Sequence, residues 1–147
     1  MELKWIDGKT LPAVELQKIA RIDFSIPAEF DDAWAPTEAE ISGRAEMFAK
    51  LGAADFFQVI YDGLEVAGFH LITEGKKSVA HISTLWLRSD LRRTGLAKQM
   101  KDSGVAWAKA AGFKFLQTGV HANNKRMHDI NLKSGFEPFS IMYRLKL

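Results

Sequence analysis

The stretch that most constrains this chain is Leu85-Trp86-Leu87-Arg88-Ser89-Asp90-Leu91-Arg92-Arg93-Thr94-Gly95-Leu96-Ala97, an apolar strand that runs through a basic loop into a helix. Two arginines, Arg92 and Arg93, stand where that helix begins. At this end the backbone dipole is positive and the first N–H groups lack partners. By itself the arrangement is repulsive, and it turns favourable when an anion, a phosphate above all, sits on the helix N-terminus. Gly95 adds a position without a side chain, where a ligand can come close to the backbone. The stretch predicts a site for a phosphorylated ligand.

A chain of 147 residues suits one domain, read as residues 1–147, with enough length to bury about two-thirds of its unfolded surface. No apolar run approaches the roughly 20 residues of a membrane span. The acidic, amphiphilic start Met1-Glu2-Leu3-Lys4-Trp5 does not read as a signal peptide. The chain contains no cysteine, which excludes disulfides, thiolate metal ligands and a Cys nucleophile and fits a reducing cytoplasm. A net charge of +2, with acidic residues interspersed among basic ones, gives no footprint for nucleic acid.

Element by element, Glu2 to Ile6 predicts a short strand ended by Asp7-Gly8. Thr10 is expected to cap a helix with Pro12 in its first turn and Val14, Leu16, Ile19, Ala20 and Phe24 along it, ended by Pro27. Thr37 opens a second helix with Ile41, Ala45 and Phe48 on one face. Asp55–Tyr61 and Leu64–Thr73, joined by Asp62-Gly63, predict a hairpin. A further turn at Gly75-Lys76-Lys77 leads into Ser78–Leu87, and a two- or four-residue turn there sets His70 opposite His81. A helix over Thr94–Ala111 buries Leu96, Ala97, Met100, Gly104, Trp107, Ala108 and Ala111. Lys114–Val120 reads as a strand, Asn124–Ser134 as a helix stopped by Gly135, and Phe136–Leu147 as a final strand or hairpin broken by Pro138. Antiparallel hairpins followed by strand–helix–strand make an α+β fold with a mixed sheet.

Read together, these pieces resemble the GNAT superfamily of acyl-CoA-dependent N-acyltransferases, best from about Asp55 onward. Val66-Ala67-Gly68-Phe69 looks like that family's third strand. His81–Leu87 followed by Arg92-Arg93-Thr94-Gly95-Leu96-Ala97 is similar to its Gln/Arg-x-x-Gly-x-Gly/Ala signature. Val120, Asn124, Lys133-Ser134-Gly135-Phe136 and Glu137 keep the spacing of its C-terminal motif. The resemblance implies one domain with a mixed central sheet, helices on both faces, and a splay between the fourth and fifth strands. It implies acetyl-CoA, or a related acyl-CoA, with the pyrophosphate on backbone amides of Arg93, Thr94, Gly95, Leu96 and Ala97 beside Arg92. The pantetheine arm would lie along Leu85, Trp86 and Leu87, and Asn124 would contact CoA from the top of the last helix. The P-loop alternative fails on glycine content, since Arg92–Ala97 holds one Gly and Gly75-Lys76-Lys77-Ser78 lacks the upstream one.

The implied reaction is direct attack of a primary amine on a thioester. An alkylammonium titrates at about 10.4, so a base or a water chain must take up its proton. His81 falls where relatives often carry Glu and some carry His as that base, and imidazole ordinarily titrates at about 6.5. It reads equally as a strand histidine satisfied by Ser83 or by a backbone group. A His70/His81 metal pair lacks a carboxylate to complete it, so no metal is expected. The family's C-terminal helix usually carries a Tyr that protonates the departing sulfur. That position is Asn131, and an amide cannot act as an acid. Water, His128 or Tyr143 would have to replace it, and a CoA-binding module with little or no turnover is the alternative reading.

On the acceptor side, Glu29, Asp31, Asp32, Glu38 and Glu40 lie among Phe24, Phe30 and Trp34. Carboxylates beside aromatic faces suit a cationic, amino-acid-like amine through ion pairing and cation–π contact, which makes Phe30, Asp31 and Trp34 the candidate pocket residues. They describe somewhat better an acidic surface loop whose aromatics anchor it to the core. The expected partner is a small-molecule amine, with neither nucleic acid nor membrane, and a homodimer is left open.

Overall fold

The computed structural model describes residues 2–147. One mixed sheet runs in the order β1 (Leu3–Asp7), β2 (Phe56–Asp62), β3 (Glu65–Glu74), β4 (Val79–Leu87), β5 (Phe115–Thr118). The first four strands pair antiparallel, and β5 pairs parallel to β4. Helices α1 (Ala13–Ser25) and α2 (Glu38–Ala49) cover one face. Leu16, Ile19, Ile41 and Phe48 meet Phe57, Val59, Phe69 and Leu71 there. Helix α3 (Leu96–Ala110) covers the other face, where Leu96 and Met100 meet Ile60, Ala67 and Leu87. Helix α4 (Lys125–Lys133) follows β5.

Most elements fall where the sequence puts them, within a residue or two. Thr37 caps α2 by accepting from the Glu40 amide, and Gly63, at φ +61°, turns the β2–β3 hairpin. Thr10 does not cap α1. Its hydroxyl donates to the Asp7 carbonyl in a short 3-10 turn, Gly8–Thr10, and α1 begins after Pro12 without a side-chain cap. The residue two positions beyond Thr10 already sets the helix entry through its fixed φ.

The β3–β4 register departs from expectation. Glu74 pairs with Ala80, so the turn takes in Gly75 to Val79, with Ser78 at φ +65°. This moves the pairing by an odd number of residues, which sends side chains to the opposite face. His81 therefore lies opposite Thr73, and a bulge between Leu71 and Ile72 adds one more residue, so His70 lies opposite Leu85. His70 is fully buried against α3, where its Nδ1–H donates to the Met100 carbonyl at 3.1 Å and Nε2 has no partner. Gly104 makes room for it, since a Cβ there would stand 2.5 Å from the imidazole Cε1.

The C-terminal expectation is also corrected. Residues 137–147 form no strand or hairpin, and no backbone hydrogen bond involves them. The last such bond, Phe136 N–H to the Asn131 carbonyl, closes α4. Pro138 removes one donor, and β5 offers only four residues to pair with.

Two charged groups are drawn inside, one partly and one wholly. Asp23 on α1 accepts from Arg44 of α2 at 2.6 Å and from Thr84 of β4 at 2.7 Å, tying both helices to the sheet. Lys101, which the sequence pattern leaves off the buried stripe of α3, is 1% exposed and stands 4.7 Å over the Phe136 ring. Burial pushes its ammonium down to about 8. The unfolded chain thus holds a proton between pH 8 and 10.5 that the folded chain does not, and stability rises with pH across that window. Below pH 8 the whole penalty applies, about 3 kcal/mol by linkage. Lys101→Met is expected to raise neutral-pH stability by roughly 1–3 kcal/mol, the lost cation–π contact offsetting part of the gain, and to flatten the alkaline rise in urea denaturation.

Candidate active site

The β4–β5 pairing runs from Val79/Phe115 to Ile82/Thr118 and stops there. Residues 83–87 of β4 continue without a β5 partner, which opens the sheet between the two strands. The side chains of Leu85, Trp86 and Leu87 do not face this opening as a set. Leu85 and Leu87 join the core under α3, while Trp86 packs 5.5 Å from Phe69 on the other face. What β4 can offer a ligand in the opening is its backbone edge.

After β4, Ser89–Leu91 forms a 3-10 turn, and the chain reverses through Arg92, Arg93, Thr94 and Gly95 into α3. Arg93 at φ +65° and Gly95 at φ +86° both sit in the left-handed region. Such alternation turns successive N–H groups toward a common concavity. The amides of Arg93, Thr94, Gly95, Leu96, Ala97 and Lys98 bond to no carbonyl among the described residues. The Thr94 hydroxyl donates back to the Leu91 carbonyl at 2.6 Å and holds the loop closed. The loop is a run of free donors on the positive end of a fifteen-residue helix.

The three arginines of this region have different duties. Arg88 is occupied by Asp62, Glu65 and Asp90, and the Asp90 and Asp62 carboxylates hold its guanidinium above the usual range. Arg92 points inward, where Nε donates to the Leu87 carbonyl at 2.9 Å and Nη2 meets Glu29 at 3.1 Å. The repulsion expected at the helix start is thus partly answered by a carboxylate of the protein itself. Arg93 is exposed and forms no salt bridge among the described residues, so it is the loop cation available to a ligand.

The sequence pattern missed a fourth cation. Arg126, in the first turn of α4, is held below its ordinary range by burial and by the nearby Arg92 and Arg93 charges. It lines a cleft of about 310 Å³ with Glu29, Phe30, Arg92, Asn123, Asn124 and Lys125. Its position after Asn124 is the only sequence signal that marks it. Asn124 itself caps α4, its Oδ1 accepting from the Met127 amide at 3.2 Å.

The remaining candidates are spread around the opening. His81 is exposed on β4, paired through its backbone with Thr73 and Gln117. Ser83, a candidate partner for it, lies 3.2 Å from the Thr73 hydroxyl instead. Asn131 is buried, and its Oδ1 has no hydrogen-bond partner. Of the substitute acids, His128 rests on the His121 carbonyl and Tyr143 is exposed to solvent. Phe30 stacks on His121 at 5.3 Å, and the Trp34 indole N–H donates to the Phe24 carbonyl. Asp31 accepts from Arg144 and from the Ala33 amide, each at 3.0 Å, and these bonds hold its carboxyl below the usual range. A cationic acceptor at Asp31 would have to share it with Arg144.

The profile of the acetyltransferase (GNAT) family matches residues 14–136. No curated protein matches the chain in sequence. Solved structures share the fold at low identity. An acetyltransferase of Pyrococcus furiosus is 19% identical, with a TM-score of 0.74 over 99% of this chain and 100% of the other. Glucosamine-6-phosphate N-acetyltransferase from Arabidopsis thaliana is 18% identical, with a TM-score of 0.67 over 99% of both chains. The enzyme AAC(6')-Iy, solved with a bisubstrate analogue, CoA-S-monomethyl-acetylneamine, is 13% identical with a TM-score of 0.67 over the whole of both chains.

Proposed function

The chain belongs to the acetyltransferase (GNAT) family, and from that premise we propose that it transfers an acetyl group from acetyl-CoA to the primary amine of a small, amino-acid-like acceptor by direct attack. The observation that carries this reading is the run of unpaired amides from Arg93 to Lys98 beside the end of β4. A diphosphate there would gain charge-assisted hydrogen bonds worth roughly 1.5–3 kcal/mol each. Arg93 and Arg126 would add charge, and Asn124 would border the cofactor from the top of α4. Bound acyl-CoA would supply an activated thioester carbonyl. The open edge of β4 at Leu85–Leu87 would orient the pantetheine arm through backbone groups. We read residues 1–147 as one such domain, at work in the reducing cytoplasm.

His81 is the proposed base. It lies six residues before Leu87 on β4, on the order of 20 Å along the strand, and its exposure leaves the ring free to accept a proton from an incoming ammonium. His81→Ala is expected to lower kcat by about 10²-fold or more with CoA affinity almost unchanged. Unchanged turnover would remove His81 from the mechanism. The reading as a whole is tested by calorimetric titration with CoA and by thiol release across a panel of amines, neutral molecules and anions. Amines are expected to be preferred. Asn131 favours a second reading, a binding module, because it supplies a buried acceptor and no acid. Tight CoA binding without thiol release from any acceptor would select that module.

A further inference from the structure

A charge buried without a partner costs a fold stability, and Lys101 is such a charge. The salt bridge on α3 is Lys98–Asp102, while the wholly buried Lys101 Nζ has no hydrogen-bond or salt-bridge partner among the described residues. It rests on the Phe136 ring, 4.7 Å away. That ring packs on the cluster of Ile72, Ala80 and Ile82, and Ile82 is the last β4 residue to pair with β5. The ammonium thus stands where the sheet begins to open. Phe136 also ties it to the end of α4, because its amide donates to the Asn131 carbonyl at 2.9 Å. In that same turn the Asn131 Oδ1 and the Ser134 Oγ are buried and unpartnered. Of the groups around Lys101, His70 of β3 faces α3 and is kept neutral by burial. The α3-facing residues of β4, the strand β5 and the buried face of α4 carry no titratable side chain.

We propose that Lys101 is the general acid of the transfer, its ammonium giving a proton to the departing CoA sulfur at the opening between β4 and β5. The proposal rests on the acetyltransferase reading above. Asn131 leaves the acid's post empty, and neither His128, bonded to the His121 carbonyl, nor the solvent-exposed Tyr143 fills it. As the acceptor nitrogen bonds to the carbonyl carbon, the C–S bond breaks and its electron pair goes to sulfur. The Nζ–H proton of Lys101 passes to that sulfur, which leaves a free thiol and a neutral lysine. The acceptor's own proton goes to His81, and water reprotonates Lys101 once the product has left. Burial lowers the ammonium to about 8, close to the value of about 8–9 for a thiol, so the transfer is nearly balanced in energy. A residue kept at a cost to stability is accounted for by such a duty.

Lys101→Met should bind CoA in calorimetry as the wild type does and lose kcat by about 10²-fold or more. An acid works only while protonated, so wild-type kcat should fall as the pH rises past about 8, and that fall should vanish in Lys101→Met. Lys101→Arg keeps the charge but releases no proton, so it should stay slow. A readout independent of turnover is the ultraviolet absorbance of the thiolate of bound CoA. The wild-type ammonium should hold that thiol below the value of about 8–9 for a free one, and in Lys101→Met it should titrate higher. An alkaline fall that survives in Lys101→Met, or a bound thiol that titrates alike in both proteins, overturns the proposal at whatever rate. Full speed in Lys101→Arg overturns it as well, by reducing the role to charge. A wild type that takes up no CoA, or releases thiol to no acceptor, removes the acetyltransferase reading and the proposal together. Wild-type turnover that Lys101→Met matches removes the proposal alone.

Discussion

Gly95→Glu is expected to abolish coenzyme A binding in a protein that still folds. Gly95 sits at φ +86°, and a Cβ built on it meets nothing within 4 Å. The space is open and the cost to the fold is backbone strain alone, roughly 1–2 kcal/mol for an L-residue in this region. The carboxylate, by contrast, would enter the field of the free amides from Arg93 to Lys98 and compete with a diphosphate for them. Loss of two charge-assisted hydrogen bonds corresponds to a drop in affinity of about 10²–10⁴-fold. Gly95→Ala separates the two effects, since it carries the strain without the charge and should lose far less affinity. Calorimetry with CoA on both variants makes the comparison. If the glutamate variant keeps its circular dichroism and binds CoA as the wild type does, the loop is not the pyrophosphate site.

The second large effect lies in the core. Burial, reinforced by the neighbouring Lys101 charge and opposed by the bond to the Met100 carbonyl, pushes His70 down to about 3. In the unfolded chain an imidazole titrates at about 6.5. Between these values the unfolded state binds a proton that the folded state refuses, so stability falls as the pH drops from 6.5 toward 3. The accumulated loss is on the order of 4 kcal/mol, a large share of the 5–15 kcal/mol that a domain of this kind has in total. Carboxylates paired in the folded state add to acid sensitivity, so the diagnostic quantity is the difference between wild type and His70→Leu. Urea denaturation at several pH values should show a shallower slope for the variant over pH 4–6. Equal slopes would mean that His70 takes up its proton alike in the folded and the unfolded chain.

How much of this was legible beforehand follows the range of the interactions involved. The Asp62-Gly63 turn and the Thr37 cap depend on neighbours within a turn or two and stand in the structure as read, whereas the stripe of α3 stands at Leu96, Met100, Gly104 and Ala108 but not at Ala111, which is exposed beyond the helix end. The His70/His81 pairing failed because it depended on register, which a longer β3–β4 turn with the left-handed Ser78 and a bulge between Leu71 and Ile72 both change. The loop before α3 was visible as a motif, but not the division of labour among Arg88, Arg92 and Arg93. That division is set by Asp62, Glu65 and Glu29, which are distant in sequence. Arg126 was hidden for the same reason, since only the fold brings the start of α4 to the cleft shared with Arg92. Lys101 sits on a buried face that composition assigns to apolar residues, and only Phe136, far along the chain, explains its place.

The early end of the β4–β5 ladder has one more consequence. An extended molecule that slots in beside β4 past Ile82 would be recognised by peptide groups, which every residue type carries alike. Side chains along that strand are then free to vary, provided they still fill the two cores behind them. The solved proteins that share this scaffold have under a fifth of their residues in common with this chain. Substitutions along residues 83–87 would leave that main-chain edge unchanged.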